Sequence, residues 1–197
     1  MCGRYFIDEH PAEGLERYLS QAEERAQRYG VTVKTSGEIF PSDIVPVIAP
    51  GSRDRTAGAF PMRWGFPHPS RNLQVINARV ETAPEKAFFA ASTEDRRCLI
   101  PASAYFEWKK EDGVKVRYRF TGKSGKLYLG GLYIRSSSER IPSFSILTRD
   151  ATEELSVIHR RMPLLITEEN MEKWLSSENA YRDVITLFDT DVLFEKG

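Results

Sequence analysis

The chain has 197 residues, 41% of them hydrophobic and 28% charged, enough apolar material for one domain with a real core. Lysine plus arginine equals aspartate plus glutamate at 28 each, and the pI is about 6.9, which excludes a uniformly basic nucleic-acid coat and leaves room for a local basic groove. No apolar run reaches the roughly 20 residues of a membrane span, and the N-terminus lacks a signal-peptide layout, so a cytoplasmic protein acting as a monomer away from membranes is expected.

Two cysteines, Cys2 and Cys98, make no CxxC and no metal spacing with the three histidines, so neither a metal nor a cofactor is expected. From Asp8 to Gly30 the residues Leu15, Tyr18, Leu19, Ala22, Ala26 and Tyr29 recur at helical steps, and Gly30 suits the position just past a helix end. Prolines and glycines break the stretch from Val31 to Phe60 into short strands and loops, the best strands being Val45 to Ala49 and Ala59 to Trp64. Thr82 is placed to cap a short helix through Phe88, with Pro84 in its first turn.

The middle of the chain is β-rich. Cys98 to Ile100, Tyr105 to Lys109, Lys115 to Phe120, Leu127 to Ile134 and Ser143 to Leu147 are separated by turn signals such as Asp112-Gly113. A further strand, Leu164 to Ile166, precedes a helix capped by Thr167 and running to about Ser177. The expected class is α+β: a single domain over residues 1–197, with a curved, barrel-like, mostly antiparallel sheet and peripheral helices.

Chemistry begins at Cys2. A small second residue favours removal of Met1, which would leave an amine and a thiol on one residue. Their reference pKa values are about 7.7–8.0 and about 8.5, so both are partly nucleophilic near neutrality. An aldehyde meeting such a 1,2-aminothiol forms an imine and then closes to a thiazolidine ring. Three interior stretches add polar groups where a core would want apolar ones. Asn77, Arg79 and Glu81 would share one face of a strand. Glu107 stands among Tyr105, Phe106 and Trp108, neighbours that desolvate a carboxyl and raise its pKa. His159 stands beside Arg160 and Arg161, a pair of cations suited to phosphate or carboxylate. Each stretch also reads as an ordinary polar surface or edge strand, and His10 and His68 read as surface.

Met1-Cys2-Gly3-Arg4, Trp64-Gly65, the run from Asn77 to Thr82, Phe106-Glu107-Trp108 and the run from His159 to Pro163 together resemble the SRAP (SOS-response-associated peptidase) family, whose members shield abasic sites in single-stranded DNA by cross-linking to them. The resemblance implies that Cys2 is the covalent nucleophile and that Asn77, Glu107 and His159 surround it. It also implies that Arg4, Arg79 and Arg161 hold phosphates and that Trp64 and Phe66 lie against DNA. The chain departs from the family pattern in three places. Glu38-Ile39-Phe40-Pro41 replaces an Asn-x-x-Pro segment, no second Trp follows Trp64-Gly65, and the segment after Trp174 is short. Two other classes remain open at this point: an N-terminal-nucleophile thiol peptidase or amidohydrolase, and a non-covalent single-stranded DNA-binding module in which Cys2 is incidental.

Overall fold

The computed structural model describes residues 2–51, 56–68, 70, 73–136, 139–189 and 191–197. In chain order, β1 (Tyr5–Ile7) leads to α1 (Glu16–Tyr29), then β2 (Gly37–Ile39), β3 (Ile44–Pro50), β4 (Ala57–Trp64), β5 (Phe66–Pro67), β6 (Gln74–Val75) and β7 (Asn77–Arg79). After α2 (Ala87–Asp95) come β8 (Arg97–Ala102), β9 (Ala104–Glu111), β10 (Val114–Gly122), β11 (Leu127–Ile134) and β12 (Ser143–Asp150). The last part holds α3 (Glu153–Ser156), β13 (Arg161–Pro163), β14 (Leu165–Ile166), α4 (Met171–Leu175), α5 (Tyr181–Val184), β15 (Phe188–Asp189) and β16 (Val192–Lys196).

Helix α1 buries Tyr18, Ala22 and Ala26, spaced four apart, and ends at Gly30 with φ 63°, where the glycine N–H returns to the carbonyls of Ala26 and Gln27. It starts later than Asp8 because Gly14, at φ 88°, stands outside helical space. The helix expected from Thr82 is displaced. Residues 82–86 form turns back onto Arg79, Thr82 and Ala83, Lys86 is extended, and α2 begins at Ala87. The helix expected up to Ser177 stops at Leu175, because Ser176 turns extended and its carbonyl accepts from Arg97.

Strands β12, β4, β3, β8 and β11 close on themselves, since β11 also pairs with β12, and only the β12–β4 seam of that ring is parallel. The second sheet runs β16-β10-β9-β1-β2, with every neighbour antiparallel. The chain crosses from ring to sheet at Ser103, whose N–H donates to the Phe6 carbonyl at 2.8 Å while its hydroxyl accepts the Asp8 N–H at 2.9 Å. Asp112 (φ 48°) and Gly113 (φ 87°) make the tight β9–β10 turn in the left-handed conformation that the Asp-Gly pair favours.

One core fills the ring and the space under the second sheet, with Trp64, Phe144, Ile146, Tyr5, Tyr105 and Phe120 among its members. A second core lies between the ring and the helices, through Tyr18, Ile48, Phe89, Leu132 and Trp174. Burial of these side chains at about 25 cal/mol per Å² of apolar surface is the main favourable term. Arg97 ties the helices to β8 from inside. At 1% exposure it donates to the carbonyls of Trp174, Thr93, Glu94, Ser176 and Asn179, while the Trp174 indole donates to the Cys98 carbonyl. Those acceptors include the final carbonyls of two helices, where a cation is favoured.

Candidate active site

Cys2 lies three residues before the start of β1, fully buried, and its thiol faces the Arg4 carbonyl at 3.8 Å. Strand β7 is held parallel to β12, with Asn77 opposite Ile146, and this brings the Asn77 amide within 2.8 Å of the Cys2 carbonyl, to which it donates. On the other side, β9 pairs with β1 at Tyr5 and Tyr105, so Glu107, two residues further along, points from the same face as Tyr105. His159, between α3 and β13, places its Nδ1 3.9 Å from the Glu107 carboxylate. The same nitrogen meets the Arg161 backbone, lying 2.9 Å from its carbonyl and 3.1 Å from its amide nitrogen. Nδ1 accepts from the amide when the imidazole proton is on Nε2 and donates to the carbonyl when the proton is on Nδ1, so the Arg161 backbone can hold the ring in either tautomer.

Burial dominates the electrostatics. It pushes the Cys2 thiol far up, and the Glu107 charge pushes the same way, so the resting group is a thiol. Burial also raises the Glu107 carboxyl, with His159 pulling it partly back. Tyr5 and Tyr105 are raised by burial as well, and both feel Cys2. Among the described residues, the hydroxyls of Tyr5 and Tyr105 and the Asn77 Oδ1 are buried with no hydrogen-bond partner. The cluster therefore holds polar atoms whose hydrogen-bonding capacity the described residues do not use. The two tyrosines are the members that sequence reasoning missed, although Tyr105 stands two positions before Glu107 and shares its face on any strand.

The residues expected at DNA are distributed unevenly. Arg79 is exposed at the end of β7. Arg4 pairs with Glu38 at 3.1 Å. Arg161 is corrected from phosphate ligand to clamp: it is 8% exposed, takes Glu81 with two nitrogens at 2.8 and 3.0 Å, binds Asp150 at 2.7 Å and donates to the Thr148 carbonyl. Glu81 lies beyond the end of β7, so it does not continue the face of Asn77 and Arg79; its carboxylate goes to Arg161 instead. Trp64 and Phe66 are also corrected. Both are 0% exposed, Trp64 wedged between Tyr5 and Phe144 with its indole on the Ile76 carbonyl, and Phe66 against Phe88 and Phe89. Neither reaches the surface to stack on a base. Met1 lies outside the described residues.

Ring, flanking sheet and polar cluster together define a class: a small α+β protein whose buried cysteine and carboxyl meet a half-buried amide and imidazole where the two sheets join. The chain belongs to the SOS response associated peptidase (SRAP) family, which it matches over residues 1–192. The Bacillus subtilis abasic site processing protein YoqW is 31% identical over 94% of this chain and 84% of its own length. The Escherichia coli abasic site processing protein YedK is 29% identical over 90% of this chain and 81% of its own. A phage-related protein of Bordetella bronchiseptica shares the fold, with a TM-score of 0.76 and 20% identity over 100% of this chain and 94% of that one. A Bacteroides thetaiotaomicron protein does so at TM-score 0.75 and 23% identity, over 99% and 91%.

Proposed function

We propose that this chain captures abasic sites in single-stranded DNA covalently, through a thiazolidine that Cys2 forms once Met1 is removed. The observation that carries the reading is the convergence of Asn77, Glu107 and His159 on the buried Cys2. The names of its relatives as abasic site processing proteins support the same substrate.

An abasic deoxyribose is mostly a closed hemiacetal. His159 gives a proton to the ring oxygen as its bond to C1′ breaks, the C1′ hydroxyl releases its own proton to solvent, and an aldehyde appears. The Cys2 amine attacks that carbon, Glu107 takes the proton the amine loses, and water leaves to give an imine. A carboxyl raised by burial suits this step, since raising it makes the carboxylate a stronger base than an exposed glutamate. The thiol then adds to the imine carbon, its proton passes to nitrogen, and the five-membered ring closes with one water lost overall. Asn77 holds the Cys2 carbonyl, which fixes the amine and thiol of that residue in place. A thiol kept protonated by burial fits a nucleophile used second, after the amine, and fits poorly with a thiolate that opens amide hydrolysis.

The test is a denaturing gel of the protein with a single-stranded oligonucleotide carrying one abasic site. A band that survives heat and denaturant is expected, with none from intact DNA and none from Cys2→Ala. An unchanged yield with Cys2→Ala would sink the assignment.

A further inference from the structure

The outer face of the second sheet carries a cationic site that none of the chemistry above uses. Glu38 on β2 bridges two arginines from different strands: its Oε2 lies 3.1 Å from Arg4 and its Oε1 accepts from Arg117 on β10. Arg4 is held flat for this role, its guanidinium 3.8 Å from the centre of the Phe40 ring and 5.7 Å from that of Trp108, and its Nε is buried with no partner among the described residues. Arg117 and Arg119 lie over Phe106, at 4.7 and 6.0 Å, on the same face. All of this adjoins Cys2 through the backbone, because the Arg4 carbonyl accepts both the Cys2 thiol and the Phe106 N–H. Two guanidiniums sharing the two oxygens of one carboxylate present the geometry with which arginines hold a phosphodiester.

We propose that Arg4 and Arg117 form a phosphodiester site occupied in the resting chain by the chain's own Glu38, so that single-stranded DNA engages it by displacing that carboxylate. The inference rests on the capture reading above and adds Arg117 to the DNA site, with Glu38 as an internal competitor that sets affinity. Position 38 is where this chain departs from the Asn-x-x-Pro pattern, and an amide there would not carry the competing charge. The ion pairs are partly exposed, with side-chain exposures of 26% for Arg4, 39% for Arg117 and 29% for Glu38, so a phosphate can reach them and the barrier to exchange is modest.

The experiment measures equilibrium binding of a fluorescent single-stranded oligonucleotide without any lesion, by anisotropy at fixed salt, for the native chain, Glu38→Gln, Arg117→Gln and the double variant. Glu38→Gln is expected to tighten binding about threefold to tenfold, the span that release of two partly exposed ion pairs supports. The double variant is expected to lose most of that gain. Binding that is unchanged or weaker in Glu38→Gln overturns the proposal, as does a gain that persists in full without Arg117. A thermal melt of each variant shows that only folded protein is compared. Because the oligonucleotide carries no aldehyde, the outcome is independent of the cross-link. The gel with abasic DNA judges the capture reading separately, so a failure of the displacement proposal is told apart from a failure of capture.

Discussion

Two buried polar clusters in this molecule have opposite fates. Around Arg97, a cation at 1% exposure is met by five backbone carbonyls, and the cluster binds the helices to the ring. Around Cys2, a carboxyl at 3% exposure and a thiol at 0% sit with two tyrosine hydroxyls and an amide oxygen that have no partner among the described residues. A buried polar group costs roughly 1–3 kcal/mol when left unsatisfied, so the first cluster stabilises the fold and the second draws on that stability. What marks the reactive region is unused hydrogen-bonding capacity, since burial and polarity are common to both.

That contrast can be broken or sharpened by substitution. Glu107→Gln keeps shape and hydrogen bonding but removes the base, and imine formation followed by borohydride trapping should slow by roughly 10²–10⁴-fold. Arg97→Ala should leave the chemistry of the remaining folded protein intact while costing about 3–5 kcal/mol in a denaturant titration, because it orphans carbonyls inside the core. His159→Ala should slow capture of the closed sugar, and the defect should shrink on an oligonucleotide with a free aldehyde; equal loss on both would move His159 to a later step.

Smaller effects concern stability against pH. The Glu107 carboxyl is raised in the fold by burial, so its contribution is fully present below the ordinary glutamate pKa of about 4.3 and is lost as pH rises through the folded value. Glu107→Gln should therefore melt higher than the native chain at pH 8, with the difference closing in acid. Glu81 shows the opposite sign. Its partial desolvation is outweighed by the hydrogen bonds from Arg161, and its carboxyl is lowered. Glu81→Gln should cost about 1 kcal/mol at pH 7, a figure already discounted for solvent screening, and the deficit should fade as pH falls through the folded pKa of Glu81.

The sequence was most legible where local chemistry decides structure. Leu127–Ile134 is a continuous apolar run bounded by turn signals and is buried on both faces, the Asp112-Gly113 turn is set by left-handed φ values, and the end of α1 is set by Gly30. Helix starts were less legible, since Thr82 met turns rather than a helix once residues 79–86 folded back on themselves. The grouping of Cys2, Asn77, Glu107 and His159 came from the resemblance of their motifs to the family, since each of the interior stretches alone also reads as polar surface or edge strand. The fates of the arginines and aromatics were not legible. Trp64 and Phe66 look the same in sequence whether they face a base or the interior of the protein, and Arg161 gives no local sign that Glu81 and Asp150, from elsewhere in the chain, will claim it.

The most direct measurement is the intact mass of the purified protein before and after reaction with a single-stranded oligonucleotide carrying one abasic site. We expect a chain beginning at Cys2, and an adduct equal to protein plus oligonucleotide less one water, absent for Cys2→Ala. An adduct of the same yield on protein that retains Met1, or on Cys2→Ala, would contradict thiazolidine capture by the N-terminal cysteine.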